Sequence, residues 1–178
     1  MVGALWALDP ALAHQRQFPA VDWETSYSLS AAALRDWFRA SAGEDWESLR
    51  ADLLGLLQRD RELREIAGLI GPEALQDADR LVLEVAAAVR ANVLGQSAFD
   101  PNDAFSPIEK TRALARGAVR LGRAARAALD RGAGFEQLQL GPAARALAAL
   151  RRAAPAELAA PEAALDAALR ALAPAGAA

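Results

Sequence analysis

The side chains that most often carry out reactions are sparse here and do not converge. His14 is the only histidine, and cysteine is absent. One imidazole with no thiolate partner does not make the usual zinc site, and thiolate nucleophiles and disulfides are excluded. No G-x-x-x-x-G-K-[ST] loop cradles a triphosphate, no G-x-G-x-x-G turn holds a dinucleotide, and no G-x-S-x-G elbow presents a serine. Carboxylates are plentiful, but paired carboxylates in a net-acidic chain usually lie on solvated faces. No catalytic residue and no metal ligand is assigned. The clearest charge pattern is basic. Arg112, Arg116, Arg120 and Arg123 step by four, four and three, which places them on one helix face, with Arg126 close by. Stacked guanidiniums repel unless acidic groups face them, so this stripe is either a solvated face or a contact for a neighbouring subunit. Leu114, Ala118, Leu121, Ala125 and Leu129 opposite it read as core.

The composition bounds what these residues can serve. A chain of 178 residues, 53% hydrophobic and 24% charged, makes one domain, or a domain with an appendage, with a real core. Much of the apolar count is alanine, which favours helix but buries little area. The net charge of -3, from 20 basic and 23 acidic residues, gives no global reason to bind nucleic acid. Lys110 is the only lysine; the other basic residues are arginines. No apolar run approaches the ~20 residues of a membrane helix. The first residues lack the basic-then-apolar order of a secretory signal, and the lack of cysteine fits a reducing cytosol.

The elements that must position these residues read as helices. Asp9-Pro10 starts a short one that Phe18-Pro19 breaks. Residues 19–28 are expected to be loop. Ser28 or Ser30 caps a helix to about Arg39, and another runs from about Asp45 to Gln58. Asp60 caps a third, which Gly71-Pro72 ends. Residues 73–79 form an acidic connector, and helix resumes near Asp79. After a loop at 95–102, Ser106-Pro107-Ile108-Glu109 reads as a capping box, opening a helix that stops at Gly132. Two alanine-rich helices follow, near 142–153 and 161–172, with a frayed tail from Pro174 to Ala178. Trp6, Trp23, Trp37 and Trp46 read as core aromatics. The expected fold class is all-α, an irregular multi-helix bundle, divided at 1–28, 29–132 and 133–178.

Three ordered segments go further. The first comprises Trp6-Ala-Leu-Asp9, Phe18-Pro-Ala-Val-Asp-Trp23 and Thr25-Ser-Tyr-Ser-Leu29. The second runs from Leu63-Arg-Glu-Ile66 through Leu69-Ile-Gly-Pro-Glu-Ala-Leu75. The third is Leu94-Gly-Gln-Ser-Ala-Phe-Asp100 with Asp103 and Pro107-Ile-Glu-Lys110. In this order and at about this spacing they resemble the catalytic A subunit of V/A-type rotary ATPases, strongly to Lys110 and weakly after Gly132. The chain corresponds to about the last third of a family member, without its N-terminal barrel, bulge domain or phosphate-binding loop. It departs from the family at His14 and Gln17, where tyrosine and histidine are usual, and in its alanine-rich C-terminal helices.

The resemblance implies roles. Phe18 and Phe99 would pack on the adenine of ATP, with Gln96 and Ala98 lining the same pocket; otherwise the two rings are ordinary loop anchors. The connector with Glu73, Asp77 and Asp79 would press on the central stalk; otherwise Asp77 or Asp79 simply caps the next helix. ATP or ADP with Mg would be bound by the complete subunit, not by this chain alone. Stacking contributes ~1–3 kcal/mol per base, whereas even millimolar affinity needs about 4 kcal/mol. Implied partners are the non-catalytic B subunits and the central stalk, at the cytoplasmic face of a membrane the chain does not enter. Two other readings stay open: a freestanding helical interaction protein of the same descent, and an independent nucleotide-handling enzyme.

Overall fold

The computed structural model describes residues 2–172; the expected frayed tail lies outside them. A small antiparallel ribbon precedes a helical bundle. Strand β1 (Ala4–Leu8) and strand β2 (Val21–Ser28) flank the one-turn helix α1 (Pro10–His14). Then come α2 (Arg35–Ala42), α3 (Trp46–Ile70), α4 (Asp77–Val89), α5 (Ile108–Asp130), α6 (Leu140–Arg152) and α7 (Ala159–Arg170). The fold is thus helical, as expected, with the ribbon as an addition.

That ribbon corrects the expected loop at 19–28. Leu5 pairs with Tyr27 and Ala7 with Asp22, so a bulge in β2 falls between them. Polar side chains hold it. Asp22 accepts the Glu24 N–H at 2.9 Å and the Thr25 hydroxyl at 2.7 Å. Ser26 Oγ accepts the Ala7 N–H at 3.0 Å and donates to the Asp22 carbonyl. A bulge this wide interrupts the period-two alternation by which a strand is recognised.

Three helix boundaries also differ. Residues 29–34 form turns, and α2 begins at Arg35. The helices expected on either side of Asp60 are one continuous helix, because Asp60 is not a cap. It is buried at mid-helix, where Arg64 one turn on reaches it at 3.1 Å and Arg90, just past the end of α4, pairs with it. The capping box does not form: Pro107 occupies the N-cap position, and the Ser106 hydroxyl accepts from Thr111 Oγ1 at 3.1 Å rather than from the backbone. Helices α6 and α7 lie close to where their apolar periodicity places them, and α5 stops just before Gly132.

Helix α5 is the axis of the bundle, packing against α2, α3, α4, α6 and α7. Its inward residues Leu121, Ala125 and Ala128 meet Leu81 and Val85 of α4, Leu147 of α6 and Leu165 of α7. Alanine keeps this core thin. At Gly117 there is no room even for a methyl group, since a Cβ there would lie 2.8 Å from the ends of Leu147 and Leu165. The core barely reaches the ribbon, where Val21 is buried and the other described strand residues are not. Trp6 is 77% exposed and Trp37 54%, and Trp23 is also exposed, which corrects their expected burial: no described element covers them. Trp46 is half-buried, and its ring stacks on Phe38 with centroids 5.9 Å apart. Among the described residues no helix is long and apolar enough to cross a membrane.

Candidate functional site

The site is built where the ribbon meets the end of α4. After α1 the chain turns through Arg16 to Phe18 and enters β2. After α4, a single wide turn at Arg90–Leu94 delivers the chain to a loop. The two segments join through the backbone: the Gln96 N–H donates to the Phe18 carbonyl at 2.6 Å. Phe18 and Gln96, 78 positions apart in sequence (96 − 18), therefore lie side by side. With Arg16, Arg90 and Arg151 they line an open cleft of about 360 Å³. The Phe18 ring is about half exposed, and Ala98 and Phe99, further along the same loop, are exposed, the Phe99 ring wholly so. The side chain of Gln96 is not free: its amide donates to the Asp103 carbonyl at 3.2 Å. Phe18 and Gln96 share the cleft, while Ala98 and Phe99 are not among its lining residues and stand exposed further along the loop; an open aromatic face such as either ring presents suits a flat base. Among the described residues no group of His, Cys, Asp or Glu converges at metal-holding spacing.

Beneath this surface is a polar knot to which the sequence reading gave no role. The Asp103 carboxylate is buried, accepts the Ser97 N–H at 2.6 Å and lies 3.3 Å from Arg151 Nε. Lys110 is also buried, and its ammonium donates to the carbonyls of Asn102 and Ala153. Burial pushes the Lys110 amine down from its ordinary value, while the carboxylates of Asp103 and Asp100 pull it back up. The signals in the sequence were its standing as the only lysine and the place of Asp103 and Lys110 in the third family-like segment.

The acidic connector is different from its expected form. Gly71 closes α3, residues 72–74 make one tight turn, and α4 begins at Asp77. Asp77, itself exposed, accepts the Phe135 N–H at 2.9 Å, and Asp79 pairs with Arg59 of α3 at 3.0 Å. Only Glu73 of the three has no ion pair among the described residues, and it is exposed. Beside it the last turns of α3 expose Ile66, Leu69 and Ile70, with Leu69 87% open. The tip is therefore apolar around one carboxylate.

The arginine stripe finds its acids within the chain. Arg112 forks onto Asp45 through Nε at 3.0 Å and Nη2 at 2.7 Å, and Arg116 reaches the other oxygen at 3.2 Å. Arg120 pairs with Asp166 of α7 and Arg123 with Asp52 of α3. Arg112 rests on Gly43, which ends α2 with φ +95 and where a Cβ would lie 2.4 Å from the guanidinium carbon. Partial burial pushes the Asp45 carboxyl up, but the hydrogen bonds from Arg112 and the charge of Arg116 outweigh it and hold it below its ordinary value. The ribbon is tied to α3 in the same manner, Arg61 reaching Glu24 at 3.0 Å and Asp22 at 3.7 Å.

Comparison with known proteins gives a consistent picture. The profile of the C-terminal domain of V and A type ATP synthase matches residues 35–136. The V-type ATP synthase alpha chain of Anaeromyxobacter dehalogenans (strain 2CP-C) is 46% identical over 164 residues, covering 84% of this chain and 28% of that protein. The second A-type ATP synthase A subunit of Methanospirillum hungatei JF-1 is 38% identical over 151 residues, covering 85% of this chain and 26% of that protein. The V-type ATP synthase alpha chain of Thermoanaerobacter pseudethanolicus is 39% identical over 142 residues, covering 80% and 24%. The chain thus spans about a quarter of the length of the curated relatives it matches.

Proposed function

The chain belongs to the family of C-terminal domains of V and A type ATP synthases, and we propose that it is the lever of a catalytic subunit rather than its engine. In this reading Phe18, Gln96, Ala98 and Phe99 complete the adenine pocket of a nucleotide site. The magnesium-bearing phosphates are held by a part of the subunit outside this chain. Residues 1–28 form the junction with that part, 29–132 the moving bundle, and 133–178 its C-terminal support. Phe18 and Phe99 stack on the base, Gln96 braces the loop from behind, and Ala98 leaves the base room.

Closure on the nucleotide would draw in the loop at 95–106 and, through the turn at Arg90–Leu94, the end of α4. Helices α3 and α4 would carry that motion to the tip at Gly71–Gln76, which presses on the central stalk. Exposed side chains at and beside the tip include Ile66, Leu69, Ile70, Glu73 and Gln76, so apolar contact contributes to the push. Asp77 and Asp79 serve instead to hold the tip to the bundle. The head also contains B subunits, and the assembly works at the cytoplasmic side, peripheral to the membrane.

The observation that most supports this is the backbone bond from Gln96 to Phe18, which joins the Phe18 segment to the loop that carries Phe99. The test is steady-state ATP hydrolysis by a full-length subunit carrying this domain, assembled in its complex. Phe99→Ala and Phe18→Ala are each expected to raise KM for ATP about fivefold to a hundredfold, the equivalent of the ~1–3 kcal/mol of one stacked base. An unchanged KM in both variants ends the adenine reading. Leu69→Asp tests the tip: hydrolysis should persist while ion pumping falls. No hydrolysis is expected from the 178-residue chain by itself.

A further inference from the structure

The Phe99 ring is 100% exposed, so no packing determines where it points. Its position follows from the backbone of the loop at 95–106, and that backbone is tied down from below. Ser97 near the start of the loop is held by the Asp103 carboxylate, and Asn102 by the Lys110 ammonium. Both anchors lead to the last turn of α6. Arg151 lies against Asp103 and also donates to the Ala91 carbonyl at the end of α4, while Lys110 takes the Ala153 carbonyl at 3.0 Å. A cluster of buried charges is seldom a net source of stability, since well-packed apolar residues do as well or better. What such a cluster does supply is geometry, because each member has few places where its partners are satisfied.

We infer that Asp103, Lys110 and Arg151 are positioning residues that latch the Phe99 loop to the end of α6, so that the C-terminal helices set the geometry of the adenine-facing surface. This rests on the nucleotide reading above for what the loop binds, but not for the latch itself. It gives the alanine-rich segment after Gly132, which contributes no exposed aromatic to the cleft, a part in nucleotide affinity. Releasing the latch frees the Phe99 backbone while leaving the ring itself, the cleft arginine Arg90 and the bond to Phe18 intact.

The test uses the full-length subunit in its assembled complex and reads two quantities. Arg151→Met is the primary variant for exchange, because this side chain is partly exposed and its loss leaves the core closed; Lys110→Met, whose side chain does not line the cleft, is the variant in which KM is decisive. In hydrogen exchange without nucleotide, amides from Ser97 to Ala104 are expected to exchange about fivefold faster or more in both variants, while α4 keeps its protection. In ATP hydrolysis, KM is expected to rise about three- to tenfold with kcat within about twofold, a split that general destabilisation does not produce. Arg151→Lys, which keeps one donor, should recover part of both. Unchanged exchange in the loop of Arg151→Met overturns the latch, as does a uniform rise across all helices. The Phe99→Ala variant separates the two ideas. If it leaves KM unmoved while the latch variants still loosen the loop, the latch holds and the adenine assignment fails.

Discussion

The two ends of this chain solve the problem of exposed surface in opposite ways. From α3 onward the bundle largely satisfies itself: Leu147, Leu150, Leu63 and Leu121 are almost wholly buried, and the arginines of α5 meet Asp45, Asp52 and Asp166 inside the chain. The ribbon and the turns after it do the reverse. Trp6, Leu8, Leu29 and Trp37 are more than half exposed. On β2 it is Asp22 and Glu24, not the aromatics, that reach α3 through Arg61. Two strands alone are marginal in water, and an apolar face this open is a contact surface or an aggregation risk. With relatives about three times as long, this contrast agrees with the proposed junction, in which a further part of a longer subunit covers the ribbon.

The comparison breaks first at the core. Leu147 is fully buried and touches the Gly117 gap. Leu147→Ala is expected to cost about 3–4 kcal/mol, because α5 and α7 cannot both collapse into the space. Urea unfolding followed by circular dichroism reads this directly. A loss below about 1 kcal/mol would mean that the bundle is as loosely held as the ribbon.

Second in size is Asp60. It is buried with Arg90 and Arg64 as partners. Asp60→Ala leaves the Arg90 guanidinium without its anion, at an expected cost of about 2–3 kcal/mol. The double variant Asp60→Leu with Arg90→Met should recover most of that. If it does not, the pair acts through more than its own charges, and the junction between ribbon, α3 and α4 is tighter than its open cleft suggests.

This residue also shows what one sequence can and cannot reveal. The periodicity of α5, α6 and α7 is carried by neighbours three and four apart, so it is legible locally. Asp60 flanked by Arg59 and Arg61 reads locally as a helix start, and only the distant Arg90 makes it an interior residue. The same is true of the arginine stripe: Arg112 finds Asp45 across 67 positions and Arg123 finds Asp52 across 71, separations at which a single sequence is silent. Strand β2 was hidden for another reason, since its bulge, bound by Asp22 and Ser26, breaks the alternation. At the candidate site the residues were named through their likeness to a family, and the neighbourhood of Phe18 and Gln96 is a tertiary fact. At the knot, Asp103 and Lys110 stood in the third family-like segment, but nothing local tied them to Arg151.

Smaller again is the pH dependence at the Arg112–Asp45 pair. The folded-state pKa of Asp45 is held below its reference value of 3.8. The pair therefore stabilises the fold above that value, and its contribution is lost as the pH falls through the lower folded value. Both side chains are about a third exposed, so solvent screens the effect. In Arg112→Met, the unfolding midpoint should lie below that of the parent chain at about pH 6, and the gap should narrow on acidification below about pH 4. A gap that stays constant would assign the loss to the packing of Arg112 on Gly43 and not to charge.

The smallest expected effect on stability is also the sharpest test of the contrast. Trp6 is 77% exposed, on a strand whose outer face nothing described covers. Trp6→Ser removes a large apolar ring that the folded chain has not taken out of water, so the transfer free energy that makes core substitutions costly is not at stake. The expected change in unfolding free energy is within about 0.5 kcal/mol. The same substitution should visibly reduce self-association of the 178-residue chain by light scattering, because in this chain only another molecule can bury that ring. In the full-length subunit the two readouts should exchange places. If the proposed junction covers the ring there, scattering is unaffected and Trp6→Ser costs about 3–5 kcal/mol, as for a buried aromatic. A cost of that size already present in the 178-residue chain would show that the ribbon is held by this domain alone, and the division between a self-contained bundle and an unfinished ribbon would not stand.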